Sequence, residues 1–89
     1  MKFPYCTMTS RSARILLSEQ EKSVLLNRIA RVISRVESST KPVGLAYRNV
    51  RLVVDAKERV IKIMSEHEFS RLHPMMAALT ISTESTKAA

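Results

Sequence analysis

The segment from residue 18 to residue 38 limits the possible folds more than any other part of the chain. Ser18 lies three residues before Glu21, which is the spacing of a capping box at the start of a helix. Apolar residues then recur at intervals of three, four and seven and would form one wide stripe: Leu25, Leu26, Ile29, Val32, Ile33 and Val36. Pro42 prevents the helix from continuing. The pattern predicts a long amphipathic helix over residues 19–38.

Short strands are expected after this helix. Apolar residues alternate over residues 43–47 and again over 50–54, and Ile61 and Ile63 would share one face of a last strand. The polar turn between the last two strands opens at Asp55 and contains no Gly, so a loop of four or five residues is favoured over a tight two-residue turn. The step at residues 47–49 fits either a bulge in one long strand or a second turn.

A second helix is predicted near the end of the chain. Ser65 and Glu68 have the spacing of another capping box. The residues that follow include an apolar face made of Phe69, Leu72, Met76 and Leu79. Pro74 would kink this helix or split it after Leu72, because proline removes a donor and clashes with the preceding turn.

Together these elements predict a small single α+β domain in the order α-β-β-α. It would contain the long helix, a β-hairpin with a possible third strand, and a C-terminal helix kinked at Pro74. The domain would span residues 18–79. Residues 1–17 would be a loosely ordered arm or a short strand, and residues 80–89, which are rich in Ser and Thr, a flexible tail.

The formal net charge of +7 over 89 residues favours an acidic partner. Cys6 is the single cysteine, so no intramolecular disulfide can form. The chain has neither a secretory signal nor an apolar run of the length that a membrane span needs. These features predict a cytoplasmic protein, or a nuclear or host-intracellular one.

The positive charge is concentrated in the first two thirds of the chain. Residues 41–64 hold six cations and two acids, whereas residues 65–89 hold two cations and three acids. On the long helix, Arg28, Arg31 and Arg35 would form one ridge, about 120° from the centre of the apolar stripe at 100° per residue. Such a ridge could follow a phosphate backbone, although charge runs are more often simply solvated faces.

The outer face of the hairpin mixes cations with aliphatic groups. Arg51 and Lys62 would lie there together with Val53, Val60 and Met64. A face meant only for water would carry fewer apolar groups, so this face is expected to be a dimer contact or a recognition surface. The small size of the domain also favours a homodimer.

Catalytic and metal chemistry find no support in the sequence. Cys6, His67 and His73 are the only soft or imidazole ligands, and on a helix the two histidines would point about 120° apart. The single Gly cannot build a phosphate-cradling loop. We expect no enzyme, no cofactor and no metal.

The leading hypothesis is a small basic binding protein with a regulatory role, which contacts the backbone of double-stranded nucleic acid as a homodimer. Its contacts would come from Arg28, Arg31, Arg35, Arg48, Arg51, Lys57, Arg59 and Lys62. The alternative is an adaptor or inhibitor, of viral or mobile-element type, that docks on an acidic protein surface through Val53, Val60 and Met64. An anionic membrane is a weaker third candidate, because the helix has few aromatic anchors.

Overall fold

The computed structural model describes residues 4–38 and 40–81. Its elements, in chain order, are β1 (Cys6–Thr9), α1 (Arg11–Leu16), α2 (Glu19–Glu37), β2 (Val43–Tyr47), β3 (Val50–Asp55), β4 (Val60–Ser65), α3 (Glu66–Leu72) and β5 (Ala78–Thr80). The five strands form one mixed sheet in the order β1-β4-β3-β2-β5. Neighbouring strands are antiparallel in the centre, whereas both outer strands pair in parallel with their neighbours.

The predicted long helix is confirmed as α2. Both hydrogen bonds of its capping box are present: the Ser18 hydroxyl accepts from the Glu21 N–H, and the Glu21 carboxylate accepts from the Ser18 N–H. Leu25, Ile29 and Val36 are buried against the sheet. Their spacing places one face of α2 on the core and leaves the opposite face in solvent.

The predicted hairpin is also confirmed, as β3 and β4. Asp55 pairs with Val60 across a four-residue loop, and its carboxylate accepts hydrogen bonds from the N–H groups of Lys57 and Glu58. Arg59 closes the loop with a φ of 56°. The Asp55 carboxylate thus satisfies two backbone donors of the loop, which favours aspartate at the start of a turn.

The step at residues 47–49 is a turn and not a bulge. Tyr47 pairs with Val50, so Arg48 and Asn49 alone connect β2 to β3. Arg48 has a φ of 53°, in the left-handed region where glycine is the usual residue. The sequence carries no glycine here, which is why the pattern left the bulge and the turn equally open.

The C-terminal helix is short and is not kinked at Pro74. It begins after Ser65, whose hydroxyl accepts from the Glu68 N–H, and it ends at Leu72. The chain then turns into β5, where Gly44 of β2 pairs with Ala78. The helix ends two residues before Pro74, in agreement with the predicted split after Leu72. Residues beyond Pro74 join the sheet as β5.

The expected α-β-β-α order is wrong, because the described residues form a five-stranded sheet with β1 before the first helix and β5 after the last. The N-terminal arm contains β1 and α1, and Ala13 of α1 is fully buried. Parallel pairing with β4 holds β1 in the sheet, matching Cys6 with Val60 and Thr9 with Ile63. The two edge strands are only four and three residues long, too short for a hydrophobic pattern to mark them as strands in the sequence.

The core has two parts, one on each face of the sheet. Alternate residues of β3 and β4, including Leu52 and Ile63, pack with α1 and α2 in the larger cluster. On the other face, Val53 and Met64 pack with Phe69 of α3. Since successive strand residues point to opposite faces, β3 and β4 contribute to both clusters.

The predicted flexible tail falls mostly on residues 82–89, which lie outside the described residues. Ile81, just before them, is buried in the larger cluster. No helix in the described part of the chain combines the length and the hydropathy required to cross a lipid bilayer.

Candidate nucleic-acid interface

The three helix arginines lie along one flank of α2, as predicted. Arg31 and Arg35 are exposed, and Arg28 is half-buried. The packing of Leu25 and Ile29 on the sheet fixes the rotation of the helix and therefore the direction of this flank. We call Arg28, Arg31 and Arg35 the arginine ridge.

Two acids of α2 are engaged within the chain. Glu21, in the first turn of α2, accepts from the Arg48 guanidinium at 2.8 Å. The hydrogen bond from the Ser18 N–H is the largest cause that lowers the pKa of Glu21, and the charge of Arg48 makes a smaller contribution. Glu37, at the other end of the helix, accepts a hydrogen bond from the Tyr5 hydroxyl at 3.3 Å. Both carboxylates therefore already have protein partners.

The ridge itself is free of interleaved acids. Between Lys22 and Val36 the helix carries four cations and no Asp or Glu. Several cations on one helix flank, with no acid between them in the sequence, produce a positive potential that attracts polyanions. Arg11 and Arg14, both exposed on α1, add positive charge to the same face of the sheet.

Arg51 and Lys62 do not share this surface. They lie on the face of the sheet that α3 covers, opposite the face on which α2 packs. The Arg51 guanidinium bonds to Glu66 at 3.0 Å and to the carbonyl oxygens of Arg48 and Val50. Its contacts hold the start of α3 against the β2–β3 turn.

Lys57 and Arg59 are exposed in the β3–β4 loop, at the end of the hairpin away from the β2–β3 turn. They line an open cavity of about 470 Å³ together with Glu37, Thr40 and Ala56. This cavity lies beside the C-terminal end of α2. At 100° per residue, Glu37 lies on the flank of α2 that faces away from the arginine ridge. Arg48 lies at the other end of α2, in its ion pair with Glu21. The eight predicted cations therefore occupy four separate regions.

The aliphatic residues expected at a dimer or partner interface are largely covered by the chain itself. Val53 is 6% exposed and Met64 4% exposed, because Phe69 and Met76 pack over them. Val60 is half-buried. The aliphatic face that suggested a dimer or an adaptor contact is therefore not exposed. No local pattern in the sequence indicates that α3 folds back over the hairpin.

No cluster of three or more His, Cys, Asp and Glu side chains in residues 4–38 and 40–81 is placed to hold a metal ion. Cys6 is a free, exposed thiol on the edge strand. His73 packs beside Phe69, with 5.6 Å between the ring centroids, and His67 is exposed. The two histidines have no shared site.

The outward face of α2 also carries polar residues that were not predicted as site residues. Ser23, Asn27 and Ser34 are exposed there, and the same 100° arithmetic that located the ridge would have placed them. Arg11 and Arg14 were not predicted as site residues either, because the pattern of residues 1–17 indicates an arm or a short strand and not a helix. The sequence feature that could have indicated the start of α1 is Ser10, whose hydroxyl caps the helix by accepting a hydrogen bond from the Ala13 N–H.

Comparisons with protein-family models, with curated proteins and with solved structures found no match to this chain.

Proposed function

We propose that this protein is a small non-enzymatic binding protein that contacts the phosphate backbone of double-stranded nucleic acid through the arginine ridge. The observation that carries the proposal is the alignment of Arg28, Arg31 and Arg35 on one flank of α2, along a stretch without acids. Guanidinium groups bond phosphate oxygens bidentately, and phosphate contacts supply most of the non-specific affinity for a duplex.

The burial of aromatic side chains supports a duplex over a single strand. Single-strand binders stack bases on exposed aromatic rings. The aromatic residues of the described chain are Tyr5, Tyr47 and Phe69, and each is at most 6% exposed. None of these three rings is available as a stacking platform, so backbone contact is the mode that the described surface favours.

The test is a titration of a fluorescent duplex at low and at raised salt. Replacing Arg31 and Arg35 together by Ala should lower the affinity at least tenfold and reduce the salt slope by about 2, as expected when two phosphate contacts are lost. The matched control replaces Lys62 and Arg71, two exposed cations on β4 and α3, with Ala. It changes the net charge equally and should affect the affinity far less.

Absence of micromolar binding at low salt would refute the proposal. An equal loss of affinity in both double variants would also refute the role of the ridge, because it would make net charge the sole determinant. The adaptor alternative has lost its motivating surface, since Val53 and Met64 are buried. The homodimer stays a prediction, and the proposed contact does not require it.

A further inference from the structure

A line of polar side chains runs along the outward face of α2, beside the arginine ridge. Ser23, Asn27, Arg31 and Ser34 are all exposed and lie within about 80° of one another at 100° per residue. They point away from Leu25 and Ile29, which are fully buried. We call these four residues the polar crest. Arg31 belongs both to the crest and to the ridge.

The crest has the chemistry of a surface that reads base edges. An Asn amide can bond adenine through N6 and N7, an Arg guanidinium can bond guanine through O6 and N7, and a Ser hydroxyl can donate or accept. The four crest residues include neither an acid, which would repel the phosphates, nor a large apolar side chain. Val24, which is 41% exposed, lies beside Arg31 at the edge of the crest. Asn27 and Arg31 are one helical turn apart, about 6 Å along the axis, which is close to two base-pair steps.

The dimensions of α2 also fit a groove. Its 19 residues span roughly 28 Å, and an α-helix with its side chains is about 10–12 Å wide, close to the width of the major groove. With the crest in the groove, Arg28 and Arg35 would stand at one side of it, toward the phosphates of one strand. This arrangement separates groups that position the protein from groups that read sequence.

We propose that α2 enters the major groove of B-form DNA and that Asn27 and Arg31 contact base edges, which makes binding sequence-selective. The inference rests on the proposed function and adds to it a substrate, duplex DNA with a preferred sequence. The occupant is a duplex and not an acidic protein, because the crest presents hydrogen-bond donors and acceptors, and Val24 is the single large apolar side chain of α2 that is exposed, too little for the apolar core of a protein interface.

The test begins with selection of the full chain against a library of random duplexes at near-physiological salt. An enriched sequence is expected. Asn27→Ala should then weaken binding to that sequence about tenfold, leave binding to a scrambled duplex unchanged and leave the salt slope unaltered. Arg35→Ala should weaken binding to both duplexes equally and lower the slope by about 1.

Asn49→Ser is the matched control, since Asn49 is an exposed asparagine in the β2–β3 turn and lies outside the crest. It should leave the preference intact, and circular dichroism checks that each variant is folded. Salt-dependent binding without an enriched sequence would overturn the crest inference and leave the proposed function standing. An enriched sequence whose preference survives Asn27→Ala would also overturn it. Absence of binding at low salt would refute both.

Discussion

Gly44 of β2 lies in contact with Phe69 of α3: a Cβ atom at position 44 would come within 3.1 Å of the Phe69 Cζ atom. The same atom would be 3.0 Å from the Met76 sulfur and 3.1 Å from the Ala77 carbonyl oxygen. These distances are tighter than ordinary van der Waals contact. The only glycine in the chain therefore permits the close approach of the segment that covers the second face of the sheet.

Gly44→Ala should destabilise the protein. Overpacking of a core typically costs about 1–3 kcal/mol, whereas the reduced entropy of the unfolded chain returns only about 0.4–1 kcal/mol. The Ala77 carbonyl is backbone and cannot rotate away, so the cost should prevail. Urea unfolding measures the difference. Combining the change with Met76→Ala should recover part of the loss in a double-mutant cycle, and a higher urea midpoint for Gly44→Ala alone would contradict the packing.

Phe69→Ala should cost about 3–5 kcal/mol, because it empties the centre of the smaller cluster formed with Val53 and Met64. Leu72→Ala is the matched control on the same helix. Leu72 is 54% exposed, so its truncation should cost less than about 1 kcal/mol. Chemical denaturation of both variants checks the contrast, and similar losses would mean that α3 does not cover the hairpin as described.

Arg59→Gly should stabilise the hairpin loop. A left-handed conformation costs a residue with a Cβ about 1–2 kcal/mol, and the greater freedom of glycine in the unfolded chain offsets about 0.5–1 kcal/mol of the relief. The net gain should be up to about 1 kcal/mol. Lys57→Gly, in the same loop without a positive φ, should lower the melting temperature, while Arg59→Gly should raise it. A fall in both variants would argue against the strain.

Stability should decline in acid partly through Glu68. The Ser12 hydroxyl donates to the Glu68 carboxylate at 2.9 Å, and this hydrogen bond, followed by that of Ser10, lowers the pKa of Glu68 below its usual 4.5. A carboxylate with a lowered pKa in the folded state contributes stability above pH 4.5. That contribution is lost as the pH falls through the folded-state pKa.

Ser12→Ala should therefore lower the free energy of unfolding more at pH 7 than at pH 3, because the contribution of the ionised Glu68 carboxylate declines as the pH falls. Urea unfolding at the two pH values gives the comparison. Ser70→Ala, at an exposed position of α3, is the control and should show no such pH dependence. Equal losses from Ser12→Ala at both pH values would show that the hydrogen bond stabilises the ionised and the protonated forms of Glu68 to the same extent.

Features set by residues close in sequence were predictable. The Ser18–Glu21 capping box and the stripe that follows it define α2, and the Asp55 carboxylate defines the hairpin loop, because each depends on neighbours within a few residues. The arginine ridge follows from the same helical arithmetic. These predictions needed no knowledge of what the helix packs against.

Features that depend on distant partners were not predictable. The strand β1 has only four residues, too few for their alternation to stand out in the sequence, and its place in the sheet depends on pairing with the distant β4. Likewise, the fold of α3 over the hairpin buries Val53 and ties Arg51 to Glu66. The hairpin alone presents these residues to solvent, which is why they were expected at an interface.

The parallel pairing of both outer strands has a consequence for the order of folding. The antiparallel strands β2, β3 and β4 are consecutive in the chain and need only short loops to meet. The pairing of Cys6 with Val60, and of Gly44 with Ala78, must close much longer loops across helices. Loop-closure entropy therefore favours a central three-stranded nucleus to which the edges are added late. The same edges should exchange their amide hydrogens first, because a strand held by one neighbour opens without disturbing the centre.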